Sequence, residues 1–193
     1  MIDQFEPRGP ASWMDISQKS AAAGFDMPSE PRTGAMLRFL ASCKHGGQLL
    51  EIGTGTGLAT AWLLDGMDAT STLISVDTDS RSQAIARQVL STDHRVRFVL
   101  EDGLLFLGAQ KAATFDLIFA DAWPGKYEGL DVALNLLKPG GIYIGDDMAP
   151  QSNWPAGHEA NVDRLLVRLE QDPRLSTVSM NWASGLVMAT RRH

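Results

Sequence analysis

LLEIGTGTGLAT, residues 49–60, decides the fold. An apolar run ends at Ile52 and enters three glycines, Gly53, Gly55 and Gly57, before a helix-compatible segment begins at Leu58. Glycine lets the backbone turn sharply and approach a ligand closely. A helix starting just beyond presents unpaired N–H groups to that ligand. The stretch therefore reads as a strand, a nucleotide-binding loop and a helix.

Outward from this loop, apolar strands alternate with amphipathic segments. Strands are predicted at 48–52, 72–77, 95–100, 115–120 and 141–146, with helices near 58–66, 80–91, 103–109 and 126–137. This alternation implies a parallel sheet covered by helices on both faces. Upstream, Met36, Leu37, Phe39 and Leu40 have helical spacing within residues 33–43, and a short helix fits 12–23. Downstream the rhythm changes. After a helix near 157–171, STVSMNW and GLVMATR form two strand-like runs separated by Ala183 and Ser184. Strands so closely joined must pair antiparallel, because a parallel pair needs a long crossover. The expectation is an α/β doubly wound, Rossmann-like sandwich whose seven-stranded, mostly parallel sheet ends in an antiparallel hairpin. Residues 1–193 are read as one domain, with 1–32 an extension ahead of a core at 33–193.

The composition narrows the function. Hydrophobic residues make up 44% and charged residues 21% of 193 positions, ordinary values for a globular domain. With 17 basic and 23 acidic residues the formal charge is −6, and no Lys or Arg run forms a stripe. An extensive nucleic-acid surface is therefore not expected. Cys43 is the single cysteine, which excludes an intrachain disulfide and a cysteine-rich metal site. MIDQFEPRGP lacks a signal-peptide core and no window is apolar enough for a membrane span. A cytoplasmic location is expected.

Each predicted parallel strand carries an acid near its C-terminal end: Glu51, Asp77, Asp102, Asp121 and Asp146. Ligands of open α/β sheets bind outside those ends, although each Asp alone could simply cap a helix or form a turn. Asp77, 24 positions after Gly53, is placed to accept hydrogen bonds from ribose hydroxyls, and Asp102 from an adenine amine. The dinucleotide pattern GxGxxG is not met. Its third glycine would fall at Leu58 or, in the second frame, at Thr60. Glu51 is unfavourable near a pyrophosphate but favourable beside a cation, so a sulfonium nucleoside fits better than a dinucleotide.

LLEIGTGTG, LISVDTD, LEDG, FDLIFADAWPGKY and LLKPGGIYIGDDM, in this order, resemble class I S-adenosylmethionine-dependent methyltransferases. Within that class the chain resembles the catechol and caffeoyl-CoA O-methyltransferase type, over about residues 33–191. The resemblance implies methyl transfer to a small-molecule hydroxyl and a possible homodimer. It places S-adenosylmethionine against Glu51, Gly53, Thr54, Gly55, Gly57, Asp77, Thr78, Asp102, Gly103, Asp121 and Trp123, with Trp123 against the adenine. It also implies Mg²⁺ or Ca²⁺ held by Asp121, Asp146 and Asp147.

Two departures from the family pattern alter the expected chemistry. Asp147 stands where the family has Asn, so three potential anions share one site. They favour either a metal or another cationic occupant. Pro124 stands at the place of the family's catalytic lysine and cannot act as a base. Lys126 and His158 are the remaining candidates to assist Asp121 in catalysis. Lys126 could equally be a solvated lysine at a helix start, and His158 a surface or capping residue. Trp154, Trp182, Met14, Met27 and Met148 each admit a pocket role or a core role. A metal-independent methyltransferase, or a cofactor-binding module without transfer activity, is the alternative reading.

Overall fold

The computed structural model describes residues 6–151 and 154–193. Its center is a seven-stranded sheet in the order β3-β2-β1-β4-β5-β7-β6. The strands are β1 (Gln48–Ile52), β2 (Thr72–Asp77), β3 (Val96–Leu100), β4 (Phe115–Ala120), β5 (Leu137–Gly145), β6 (Leu175–Met180) and β7 (Leu186–Arg191). The first five are parallel, while β7 pairs antiparallel with both β5 and β6. The expected doubly wound α/β sheet and its antiparallel end are both present. The chain reverses direction along the sheet between β1 and β4, which creates the crevice where ligands of such folds bind.

Alternation within β1 shows how the two layers form. Leu50 and Ile52 face one core with Phe115, Ile118 and Leu165, whereas Leu49 faces the other with Leu37, Leu63 and Phe119. The first layer includes α5 (Gly103–Gly108), α6 (Leu130–Leu136) and α7 (Glu159–Glu170). The second is covered by α1 (Trp13–Ala22), α2 (Pro31–Ser42), α3 (Leu58–Gly66) and α4 (Ser80–Leu90). Every residue of α3 from Leu58 to Leu64 is buried, as expected for a helix apolar on all sides. Its partner α2 comes close because Gly34 has no side chain. A Cβ there would lie 2.3 Å from the Trp62 ring.

The helix expected over 126–137 is corrected. Gly125 and Gly129 have φ of 77° and 69°, and Gly125 donates to the Glu128 carbonyl at 2.7 Å. These positive angles close a loop that the helical period of the surrounding apolar residues conceals. The helix therefore starts at Leu130, and β5 begins at Leu137, earlier than expected, with a register shift against β4.

Candidate functional site

The site is assembled at the C-terminal ends of the central strands. Leaving β1, the chain turns through Gly53 with φ +100°, a conformation that L side chains rarely adopt. A Cβ at Gly53 would lie 2.7 Å from the Asp121 carbonyl, so glycine allows the loops after β1 and β4 to touch. Asp77 fixes the next turn. Its carboxylate accepts from the Gly55 N–H at 2.8 Å and from the Asp79 N–H at 2.8 Å. Beside these loops lies a cavity of about 500 Å³, within the range of small-molecule and cofactor sites.

Gly53, Thr54, Gly55, Asp77, Asp121, Trp123, Lys126, Asp146, Asp147 and His158 all line this cavity. The structure thus unites both halves of the predicted site. Apart from Met27, for which a pocket role was open, it also adds residues that the sequence reading missed. Phe25 to Glu30 form part of the wall, although they lie in the least patterned part of the chain. Phe25 is placed against Gly55, where an added Cβ would meet its ring at 3.0 Å. Tyr127 and Ser184 are further additions. The DAWPGKY loop could have drawn attention to Tyr127, but no periodicity marks Ser184.

Five expected cofactor residues do not line the cavity. Glu51 is fully buried and does not line the cavity. Its Oε2 accepts from Thr60 Oγ1 and Ser75 Oγ, both at 2.5 Å. Burial, only partly offset by these bonds, pushes its pKa up to about 8. Burial thus makes Glu51 hold its proton more firmly than an exposed carboxyl does. Asp102 caps α5, accepting from Leu104 and Leu105 N–H groups at 2.8 and 3.0 Å, and Thr78 is exposed outside the cavity. Gly57 and Gly103 serve packing instead. Added Cβ atoms would lie 2.7 Å from Ala86 Cβ and from Pro124 Cβ respectively.

The acceptor half is aromatic. His158 is 7% exposed, with its ring centroid 5.0 Å from Tyr127, 5.7 Å from Trp123 and 4.8 Å from Trp154. Trp123 thus stands in this cluster and lines the cavity. His158 Nε2 and Tyr127 Oη are 3.1 Å apart, and Nδ1 has no hydrogen-bond partner. Burial, followed by the charge of Lys126, lowers the His158 pKa below its ordinary value. Burial together with Asp147 and Asp121 pushes Tyr127 up to about 12. At neutral pH the pair is therefore a neutral imidazole facing a protonated phenol. Trp182 instead anchors α2, donating from Nε1 to the Arg32 carbonyl at 2.9 Å. Met148 packs on the core, Met14 is exposed and Met27 lines the cavity.

The acids beside this cluster do not form the expected metal site. Mg²⁺ and Ca²⁺ need several converging oxygen ligands. Among the described residues, no group of three or more His, Cys, Asp or Glu side chains is arranged to hold a metal ion. Asp146 Oδ1 accepts from Ser184 Oγ and from the Asp147 N–H, while Asp121 Oδ2 accepts from Ser29 Oγ at 3.3 Å. The cationic group beside them is Lys126, whose Nζ donates to the Asp146 carbonyl at 2.8 Å. Burial and the Asp146 charge raise the proton affinity of Asp121 well above normal, an effect opposed by Lys126. Asp146 is pushed up to about 6, chiefly by burial.

Comparisons with known proteins agree with this architecture. Residues 50–148 match the family model described as a methyltransferase domain. A protein of Mycolicibacterium vanbaalenii, provisionally named an O-methyltransferase, is 31% identical over 176 residues, covering 83% of this chain and 76% of the relative. The Bacillus cereus O-methyltransferase solved with SAH superposes with a TM-score of 0.81 at 24% identity, over 98% of this chain and 94% of the other. The Streptomyces achromogenes O-methyltransferase TomG, solved with SAM, gives 0.83 at 20% identity, over 100% and 94%. With its motif series, sheet order and domain match in agreement, the chain belongs to the methyltransferase-domain family of class I S-adenosylmethionine-dependent enzymes.

Proposed function

We propose that the protein transfers a methyl group from S-adenosylmethionine to an acidic hydroxyl of a small planar molecule, such as a phenol. The observation that carries this reading is the Tyr127–His158 pair, which opens onto the same cavity as the glycine loop and Asp77. The relatives' names support transfer to oxygen. The Gly53–Gly55 backbone and Asp77 would hold the nucleoside. Asp77 retains carboxylate lone pairs for ribose hydroxyls while bracing Gly55. Mg²⁺ or Ca²⁺, implied by the family resemblance, enters no step because the acids present do not fit such an ion.

Trp123 and Trp154 flank His158 and offer apolar faces to a flat acceptor. The acceptor hydroxyl would give its proton to Tyr127 Oη as the phenol passes its own proton to His158 Nε2. The high proton affinity of Tyr127 keeps a proton available for this relay. S-Adenosylmethionine supplies an electrophilic methyl group, which the acceptor oxygen takes while the sulfur keeps the bonding electrons. Positioning the two reactants in one crevice supplies much of the remaining rate.

The test is formation of S-adenosylhomocysteine with catechols, flavonoids and simple alcohols as acceptors. Phenolic acceptors should react and aliphatic alcohols should not. His158→Ala should lower kcat by about 100-fold. Tyr127→Phe should lower it similarly, because it interrupts the same relay. For the wild type, kcat/KM should fall on the acid side as His158 becomes protonated, with a midpoint below the ordinary histidine value of 6.5. An unchanged acid limb in His158→Ala, or rapid methylation of an aliphatic alcohol by that variant, would overturn this proton route.

A further inference from the structure

Four observations concern the acidic floor of the cavity. Asp146 and Lys126 are 2% and 5% exposed, so an anion and a cation have both been removed from water. The Lys126 ammonium donates to the Asp146 carbonyl at 2.8 Å. Its charge also acts on the carboxylates of Asp121 and Asp146. Finally, Asp146 Oδ1 accepts hydrogen bonds from Ser184 Oγ and the Asp147 N–H.

A buried ammonium costs several kcal/mol in lost hydration unless anions and hydrogen bonds compensate it. Here the Asp146 backbone carbonyl supplies the hydrogen bond, and the Asp121 and Asp146 carboxylates supply opposite charge nearby. Their repulsion, which would otherwise attract an external ion, is relieved by a cation already covalently part of the chain. The position of Lys126 follows from the loop that replaced the expected helix. The turn at Gly125 and the Pro124–Glu128 bridge bring its side chain beneath the cavity instead of leaving it in solvent.

We propose that Lys126 is a resident cation that takes the place of a divalent metal in the acceptor site, making methyl transfer independent of metal. This rests on the methyltransferase reading only for its catalytic consequence, since the charge arrangement itself belongs to the folded protein. Lys126 lines the cavity, and its charge would stabilise negative charge developing on the acceptor oxygen as its proton leaves. One positive charge suffices because the acceptor is already acidic.

The test uses the full chain. Calorimetric titration of the wild type with millimolar MgCl₂ or CaCl₂ should show no one-site binding, and turnover should be equal with EDTA or added Mg²⁺. Lys126→Met should lower turnover on the order of 100-fold while S-adenosylhomocysteine affinity stays within about threefold. Lys126→Arg, which keeps the charge, should recover at least about a tenth of the activity. Stoichiometric Mg²⁺ binding that Asp146→Asn abolishes would overturn the proposal, as would EDTA inactivation reversed by Mg²⁺ or full turnover by Lys126→Met. If Lys126→Met does not fold, the wild-type titration and the Lys126→Arg assay still decide. Absence of turnover with a flat metal titration would fault the proposed reaction and leave the resident cation standing.

Discussion

Glu51 shows how strongly surroundings can alter one residue. Its position in LLEIGTGTG implies a carboxylate beside a ligand, but the side chain is buried beneath the loop with Thr60 and Ser75. Its pKa rises from 4.5 to about 8, so the folded state binds a proton that the unfolded state releases between those values. The stabilising contribution is complete below about pH 4.5 and is lost as pH rises through about 8. Glu51→Gln removes this titration while retaining a polar group of similar size. Thermal unfolding followed from pH 5 to 8 should therefore show the variant gaining stability relative to wild type as pH rises. A constant difference between the two would mean that Glu51 is charged in the folded protein. At the same scale, Asp77→Ala should weaken S-adenosylhomocysteine binding by on the order of 2 kcal/mol, measured by calorimetry. The loss would combine absent ribose contacts with a loosened Gly55 turn.

Among the elements, the contact between α2 and α3 has the clearest consequence. Glycine inside a helix ordinarily costs about 1 kcal/mol relative to alanine, so Gly34→Ala would be expected to stabilise α2. The 2.3 Å approach of the missing Cβ to the buried Trp62 ring reverses that sign. Overpacking of this kind costs roughly 1–3 kcal/mol. Gly34→Ala should unfold at lower urea than wild type with an unchanged denaturant slope, and higher stability would show that the helices can separate without cost. The alternation of strands and helices was legible because burial on alternating faces leaves a local imprint on the sequence. The loop at 123–129 was hidden, because Tyr127, Leu130 and Leu134 continue an apolar spacing compatible with one longer helix.

For the whole molecule, the crevice depends on segments far apart in the chain. Phe25 to Glu30 form one wall, the loops after β1 and β2 another, and the segment before α7 a third. Ser20 Oγ reaches Thr56 Oγ1 at 2.7 Å, tying α1 to the glycine loop. Ligand binding should therefore stabilise the entire fold. S-Adenosylhomocysteine at about 100 times its dissociation constant should add about 2.7 kcal/mol, raising Tm, whereas NAD should not. Phe25→Ala should reduce the shift if this wall closes over the loop, and an unchanged shift would place Phe25 outside the binding surface. Among the described residues, no helix is long and apolar enough to cross a membrane.

By itself, the sequence determined the order of strands and helices, the glycine turn at Gly53 and the acids at the strand ends. These depend on side-chain alternation and local backbone freedom, which neighbouring residues specify. Only the tertiary structure decided which acids face the cavity, because burial depends on elements distant in sequence. It paired Tyr127 with His158 across 31 positions and brought Lys126 to the Asp146 carbonyl across 20. The family resemblance implies a metal site at the three acids after β4 and β5. In the fold, hydrogen bonds occupy Asp146 and a buried ammonium lies beside it, because charge compensation is set by proximity in space.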